Sequence, residues 1–140
     1  MEEDEEKSYD TSYNYGSGIA ISERMVLLEL EEIMDKLIEA IKGTSEYNQY
    51  HSLLERVKSQ PVLYNRIGEF HRKSLEMQMS DSENFIHENN KLQKEYYDLQ
   101  NNSISSEFFS AEHQYCVMIR NLQKQFLEGI KIETDFLEAR

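Results

Sequence analysis

The stretch from Leu37 to Phe70 restricts the fold more than any other part of the sequence. It contains an amphipathic pattern, a Gly43-Thr44-Ser45 break, a second amphipathic pattern and then Pro61. Glycine often follows the last residue of a helix, and Thr or Ser caps the start of the next one. Proline is tolerated in the first turn of a helix. The stretch therefore predicts three consecutive helices separated by short breaks.

Apolar residues at steps of three and four extend the helical pattern to the end of the chain, and no period-two strand pattern occurs. The predicted helices run from about Ser22 to Lys42, from Thr44 or Ser45 to about Ser59, from Pro61 to about Ser80, from a capping box at Ser80-Asp81-Ser82-Glu83 to about Asn101, and from Ile104 to about Ile130. We expect a close helix crossing at Gly68, because glycine otherwise weakens a helix interior. The predicted fold class is all-α: a multi-helical bundle of about five amphipathic helices with long helical hairpins, which self-associates.

The sequence predicts two regions: a disordered acidic tail over residues 1–21 and a single helical domain over residues 22–140. The first ten residues hold six acidic side chains and one lysine, out of a net charge of -12 for the whole chain. Binding to nucleic acid needs a cluster of Lys and Arg side chains, so direct nucleic-acid binding is not expected. No signal peptide or membrane-spanning apolar run is evident, which predicts a cytoplasmic protein without membrane contact.

Only 39% of the residues are hydrophobic, so the core of a monomer would be thin. Amphipathic helices that leave apolar surface uncovered pair with another chain. We therefore predict a homo-oligomer, in the simplest case a dimer, held together by apolar and aromatic helix faces. The predicted interface residues are Leu63, Ile67, Phe70, Phe108, Phe109, Tyr115, Leu122 and Phe126.

The residue types that carry chemistry are sparse. Cys116 is the only cysteine, and a lone cysteine beside an apolar stripe is typical of a small core residue. No Glu-x-x-His pair, phosphate-binding glycine loop or nucleophile motif is present. We expect no enzyme activity, cofactor or metal. The alternative is a bundle that binds a small ligand or a metal through His71, His87 or His113.

Three segments, taken in order, resemble the YlbF/YmcA family of small helical regulators. They are LIEAIKGTSEYNQY, KSQPVLYNRIGEFHRKSLEMQ and NNSISSEFFSAEHQY, and together they span roughly residues 25–130. In the third segment, Ile104, Glu107, Phe108, Ala111 and Glu112 are in register with the family pattern. Ser103 stands where the family often has proline.

The resemblance implies an all-α fold that self-associates and a regulatory role without catalysis. It implies an adaptor that binds other regulatory proteins, with a ribonuclease complex as a candidate partner. Through that partner it would influence RNA processing, competence, sporulation or biofilm development. Some members of the family are linked to iron–sulfur clusters, but Cys116 alone cannot supply the ligands for one.

Overall fold

The computed structural model describes residues 21–80, 83–131, 133 and 135–137. Within these residues every regular element is helical, which confirms the predicted all-α class. The predicted tail, apart from Ile21, lies outside the described residues. The helices are α1 (Ile21–Lys42), α2 (Ser45–Lys58), α3 (Pro61–Met79), α4 (Phe85–Glu95), α5 (Tyr97–Asn101), α6 (Ser103–Ile130) and a short 3-10 turn (Asp135–Leu137).

The predicted breaks on both sides of α2 are confirmed, and each has a local cause. The Thr44 hydroxyl oxygen accepts a hydrogen bond from the amide of Tyr47 at 3.2 Å, which caps the start of α2. Pro61 is the first residue of α3. These ends depend on residues next to each other in the chain, so the sequence could predict them.

The start of α6 is also capped by a side chain. The side-chain oxygen of Asn102 accepts hydrogen bonds from the amides of Ile104 and Ser105 at 3.0 and 3.2 Å. The hydroxyl of Ser105 is buried and donates to the carbonyl oxygen of Leu99. The corner between α5 and α6 is therefore fixed by hydrogen bonds from both sides.

The predicted fourth helix differs from the observed one at its start. The Ser80 hydroxyl donates to the carbonyl oxygen of Met77 at 2.8 Å, so Ser80 ends α3 and does not cap the next helix. Helix α4 begins at Phe85, after Asn84. Asp81 and Ser82 of the predicted capping box lie outside the described residues.

The same predicted helix is also interrupted at Tyr96, which separates α4 from α5. The side chains of α3 bind both sides of this break. Arg66 donates to the backbone carbonyl of Glu95 at 2.8 Å and to both carboxylate oxygens of Asp98 at 3.0 and 3.3 Å. The Arg66 guanidinium also lies 4.2 Å from the centre of the Tyr96 ring, a cation–π contact.

A second cation of α3 supports the break. The Lys73 ammonium donates to the carboxylate of Glu95 at 2.8 Å and lies 5.2 Å from the centre of the Tyr96 ring. The hydrogen bond from Lys73 lowers the pKa of Glu95, and the one from Arg66 lowers the pKa of Asp98. Because these contacts are made by residues distant in sequence, local propensity gave no sign of the break.

The chain divides into two compact units, residues 1–40 and 41–140. In the second unit, α2 packs along α6, α3 packs against α2 and α4, and α5 packs against α4 and α6. The apolar core of this unit consists of Val57, Ile67, Leu92, Tyr96, Leu99, Phe108 and Ala111.

All described residues of the first unit, 21–40, belong to helix α1. Its apolar residues recur at helical spacing, yet none of its described residues is buried. No helix in the described part of the chain is long and apolar enough to cross a membrane.

The prediction of a close helix crossing at Gly68 is wrong. A Cβ atom built at this position would meet no atom within 4 Å, outside the neighbouring backbone of its own helix. The glycine is therefore not required by close packing, and its cost to helix α3 remains without compensation there.

Candidate interaction surfaces

The predicted interface residues fall into three structural groups. In the first group, Ile67 and Phe108 are core residues of the second unit, with Phe108 only 3% exposed. Leu63, Phe70 and Phe109 are partly buried and pack against that core. The packing of their own chain therefore occupies most of their apolar surface.

The second group is an aromatic cluster where α2 meets α6. The ring of Tyr115 stacks on that of Tyr50, with centres 5.1 Å apart and planes at 13°. Tyr50 also stacks on Phe108 at 5.7 Å. Burial, followed by the nearby negative charge of Glu112, raises the pKa of Tyr50. Tyr115 is half-buried, and its face toward Tyr50 is covered within the chain.

The third group lies toward the end of α6. Leu122 is half-buried, whereas Phe126 is 57% exposed. Phe126, Leu127 and Ile130 are all exposed and lie at steps of one, three and four residues, which places them on one side of the helix. We call these three residues the α6 tip. Of the predicted interface residues only Phe126 is exposed, and Leu127 and Ile130, which were not predicted, extend its apolar surface.

A groove of about 490 Å³ lies between α6 and helices α3, α4 and α5. Its apolar wall includes Phe70, Tyr96, Leu99 and Phe109. We call it the α3–α6 groove. The hydroxyl of Tyr96 is buried and has no hydrogen-bond partner among the described residues.

Polar side chains also line the α3–α6 groove. His71 of α3 and Glu112 of α6 form a pair at 2.8 Å, between the imidazole Nε2 and a carboxylate oxygen. His113, Cys116 and Arg120 of α6 line the same groove at steps of three and four residues. The groove therefore combines an aromatic wall with hydrogen-bonding groups.

The histidines proposed as alternative ligands are only partly brought together. His71 and His113 both line the α3–α6 groove, whereas His87 is exposed on α4 and does not line it. Nowhere in the described residues do three His, Cys, Asp or Glu side chains meet in an arrangement that could hold a metal ion.

One surface was not included among the predicted interface residues. Large apolar side chains of α1, from Val26 to Ile38, are exposed along one face of the helix. The sequence showed this stripe, but the pattern is the same for a helix that faces its own core and for one that faces a partner. No signal in the sequence separated the two cases.

Comparison with known proteins gives the family. The family model described as "Control of competence regulator ComK, YlbF/YmcA" matches residues 30–131. The chain belongs to the YlbF/YmcA family. No curated protein and no solved structure matched the chain.

The region matched to the YlbF/YmcA family includes the groove and the α6 tip described above. It runs from the middle of α1 to the first residue after α6, so it contains the α3–α6 groove and the α6 tip. The acidic first ten residues precede it. The family membership therefore concerns the helical part of the chain and points to a role connected with the control of competence.

Proposed function

We propose that this YlbF/YmcA protein is a non-enzymatic adaptor of the cytoplasm that self-associates and binds partner proteins in a competence-related regulatory pathway. The observation that supports the proposal most is the family match over residues 30–131. A regulator of this kind acts by presenting surfaces to other proteins, and exposed apolar patches are typical of such surfaces.

The α6 tip is the surface that we assign to the partner protein. Its three apolar side chains project from a long helix, and helices with such faces bind in the apolar grooves of other proteins. Aromatic side chains such as Phe126 often contribute most of the binding energy of an interface. A ribonuclease complex is the proposed partner, because the resemblance to the family implies it. Binding through a protein would let an acidic chain influence RNA processing without contacting RNA.

Affinity capture of the tagged full-length protein, followed by mass spectrometry, tests the partner. We expect subunits of a ribonuclease complex to be recovered with the wild-type chain and to be lost with Leu127→Asp. Leu75→Asp is the matched control, because Leu75 is an exposed leucine of α3 outside the α6 tip. Recovery of no ribonuclease subunit with the wild-type chain would reject this partner, and equal recovery with both variants would reject the α6 tip as its site.

A small-ligand site is the second candidate, and the α3–α6 groove supports it. The groove offers an aromatic wall, the His71–Glu112 pair and the cation of Arg120. Thermal denaturation in the presence of zinc or of aromatic carboxylates would test the proposal. An unchanged melting temperature for the wild-type protein with every compound would argue against such a site.

A further inference from the structure

Helix α1 carries an exposed apolar face. Seven large apolar side chains on this face are between 40% and 61% exposed. At 3.6 residues per turn they occupy an arc of about 140° around the helix. These residues are Val26, Leu27, Leu30, Ile33, Met34, Leu37 and Ile38. We call this set the α1 face.

An apolar surface of this kind is unfavourable in water. Monomeric soluble proteins rarely leave a large contiguous apolar patch exposed. In addition, most of the stability of a helix comes from packing of its apolar face against another element. A helix of 22 residues with no buried residue lacks that contribution. The α1 face is therefore expected to have an occupant.

The residues that precede α1 in the chain are poor candidates for that occupant. Among residues 1–20, Ile19 and Met1 are the only large aliphatic side chains. Two large aliphatic side chains cannot cover the seven large apolar side chains of the α1 face, so the preceding segment does not offer the apolar surface that this face needs.

We propose that the α1 face is covered by the α1 face of a second copy of the protein, with the two helices antiparallel. The inference rests on the proposed self-association and names the surface that carries it. A two-fold axis makes the contact self-complementary, since the same residues meet from both sides. Leu30 of one subunit then faces Leu37 of the partner subunit, and the axis passes near Met34.

The charge of the chain determines the antiparallel orientation. In a parallel pair, the two acidic N-terminal segments would emerge side by side from the same end of the pair. In an antiparallel pair they leave from opposite ends, about 33 Å apart for a helix of 22 residues. That separation is about four times the Debye length at physiological salt, so the repulsion between the two segments is screened. The opposed helix dipoles add to the same preference.

The area of the α1 face suits a dimer interface. Burial of one large aliphatic side chain removes about 60–120 Å² of apolar surface from water. Seven such side chains from each subunit give about 800–1,700 Å² in total, which overlaps the range of specific interfaces. The width of the stripe, broader than a narrow coiled-coil seam, agrees with close packing of two bundle-type helices.

Two leucines of α1 provide a matched pair for the test. Leu30 is 56% exposed and lies in the α1 face, whereas Leu28 is 58% exposed and lies about 160° away around the helix. Size-exclusion chromatography with light scattering on the full-length protein measures the result. We expect the wild-type chain and Leu28→Asp to have twice the subunit mass of 16.7 kDa. We expect Leu30→Asp to raise the dimer dissociation constant by about 100-fold or more, because two buried leucines are lost per dimer.

Cysteine cross-linking tests the orientation. In a Cys116→Ser background, Met34→Cys lies near the proposed axis and should form a disulfide between subunits under mild oxidation. Val26→Cys lies far from the axis in an antiparallel pair and should remain reduced. Because disulfides need Cα atoms about 4.4–6.8 Å apart, efficient cross-linking of Val26→Cys would overturn the antiparallel arrangement.

The possible outcomes separate this inference from the proposed function. A dimeric Leu30→Asp variant would show that self-association uses another surface, which overturns the inference but leaves the adaptor role intact. A wild-type chain that is monomeric at micromolar concentration would overturn both the inference and the proposed self-association. A monomeric wild type that Leu30→Asp strongly destabilises would show that its own chain covers the α1 face. Capture of the ribonuclease partner by a monomeric Leu30→Asp variant would support separate surfaces for self-association and partner binding.

Discussion

Replacement of Phe108 by alanine tests whether the predicted interface residues were assigned correctly to core and surface. Phe108 is 3% exposed, stacks on Tyr50 at 5.7 Å and lies 6.0 Å from Phe109. Replacement of a buried phenylalanine by alanine removes its apolar contacts and leaves a cavity, which costs about 3–5 kcal/mol. The free energy of unfolding of a whole domain is about 5–15 kcal/mol. The substitution should therefore remove a large part of the stability of the second unit.

Urea denaturation followed by circular dichroism at 222 nm measures this loss. The corresponding decrease in melting temperature is about 12–40 °C, at about 4–8 °C for each kcal/mol. If the alanine variant does not fold, Phe108→Leu provides a milder substitution that can still be measured. It should lower the free energy of unfolding by about 1–2 kcal/mol.

Phe126→Ala is the matched control for Phe108→Ala. Both residues are phenylalanines of α6, but Phe126 is 57% exposed. At a protein concentration low enough to keep the chain monomeric, its replacement should change the free energy of unfolding by no more than about 0.5 kcal/mol. A cost below about 1 kcal/mol for Phe108→Ala, or equal costs for the two substitutions, would refute the division into core and exposed tip.

Four further substitutions probe the helix breaks and the core. Tyr96→Phe removes a buried hydroxyl without a partner, so unfolding experiments should show unchanged stability or a gain of about 1 kcal/mol; a large loss would reveal a missed hydrogen bond. Arg66→Ala should destabilise the fold most at neutral pH. The lowered pKa of Asp98 stabilises the folded state above the ordinary carboxyl pKa near 4, and this contribution disappears as the pH falls through the lowered value. The difference from wild type should therefore narrow in acid denaturation below about pH 4, and a constant difference would contradict the role of the ion pair. Ser103→Pro, at the first position of α6, should raise the free energy of unfolding by about 0.4–1 kcal/mol in urea, whereas a loss would mean that the amide of Ser103 has a partner. Gly68→Ala should stabilise by about 1 kcal/mol in the same assay, because the added Cβ meets no neighbour; destabilisation would indicate a close contact there.

The features that the sequence predicted well are those with local causes. Thr44, Pro61 and Asn102 act on the few residues next to them, and each ends or starts a helix as expected. The break at Tyr96 has a different origin. It depends on Arg66 and Lys73 of α3, which reach it only after the chain has folded. A sequence pattern that reports neighbours along a helix cannot show such a contact.

The sequence also does not show which apolar helix faces are buried in the core and which are exposed. Ile67 and Phe108 lie in stripes that look the same in sequence as the stripe of α1. The structure buries the first two and leaves the α1 face exposed. Helical periodicity reports that a face is apolar but not whether its partner belongs to the same chain. Family membership was easier to predict, because it depends on the order of segments along the chain.

The pairing of α2 with α6 also bears on how the second unit assembles. Helices α3, α4 and α5 lie between these two in the chain, whereas the other helix contacts described above join neighbours in sequence. Contacts between helices that are neighbours in sequence form quickly. A contact between helices that are distant in sequence must first overcome the entropy of bringing the two ends of the intervening segment together. The stack of Tyr50 on Phe108 and Tyr115 joins α2 to α6, at the two ends of the segment that contains α3, α4 and α5. Its formation is therefore expected to be a late event that completes the second unit, and its separation would open the unit while the hairpin of α3 and α4 remains paired.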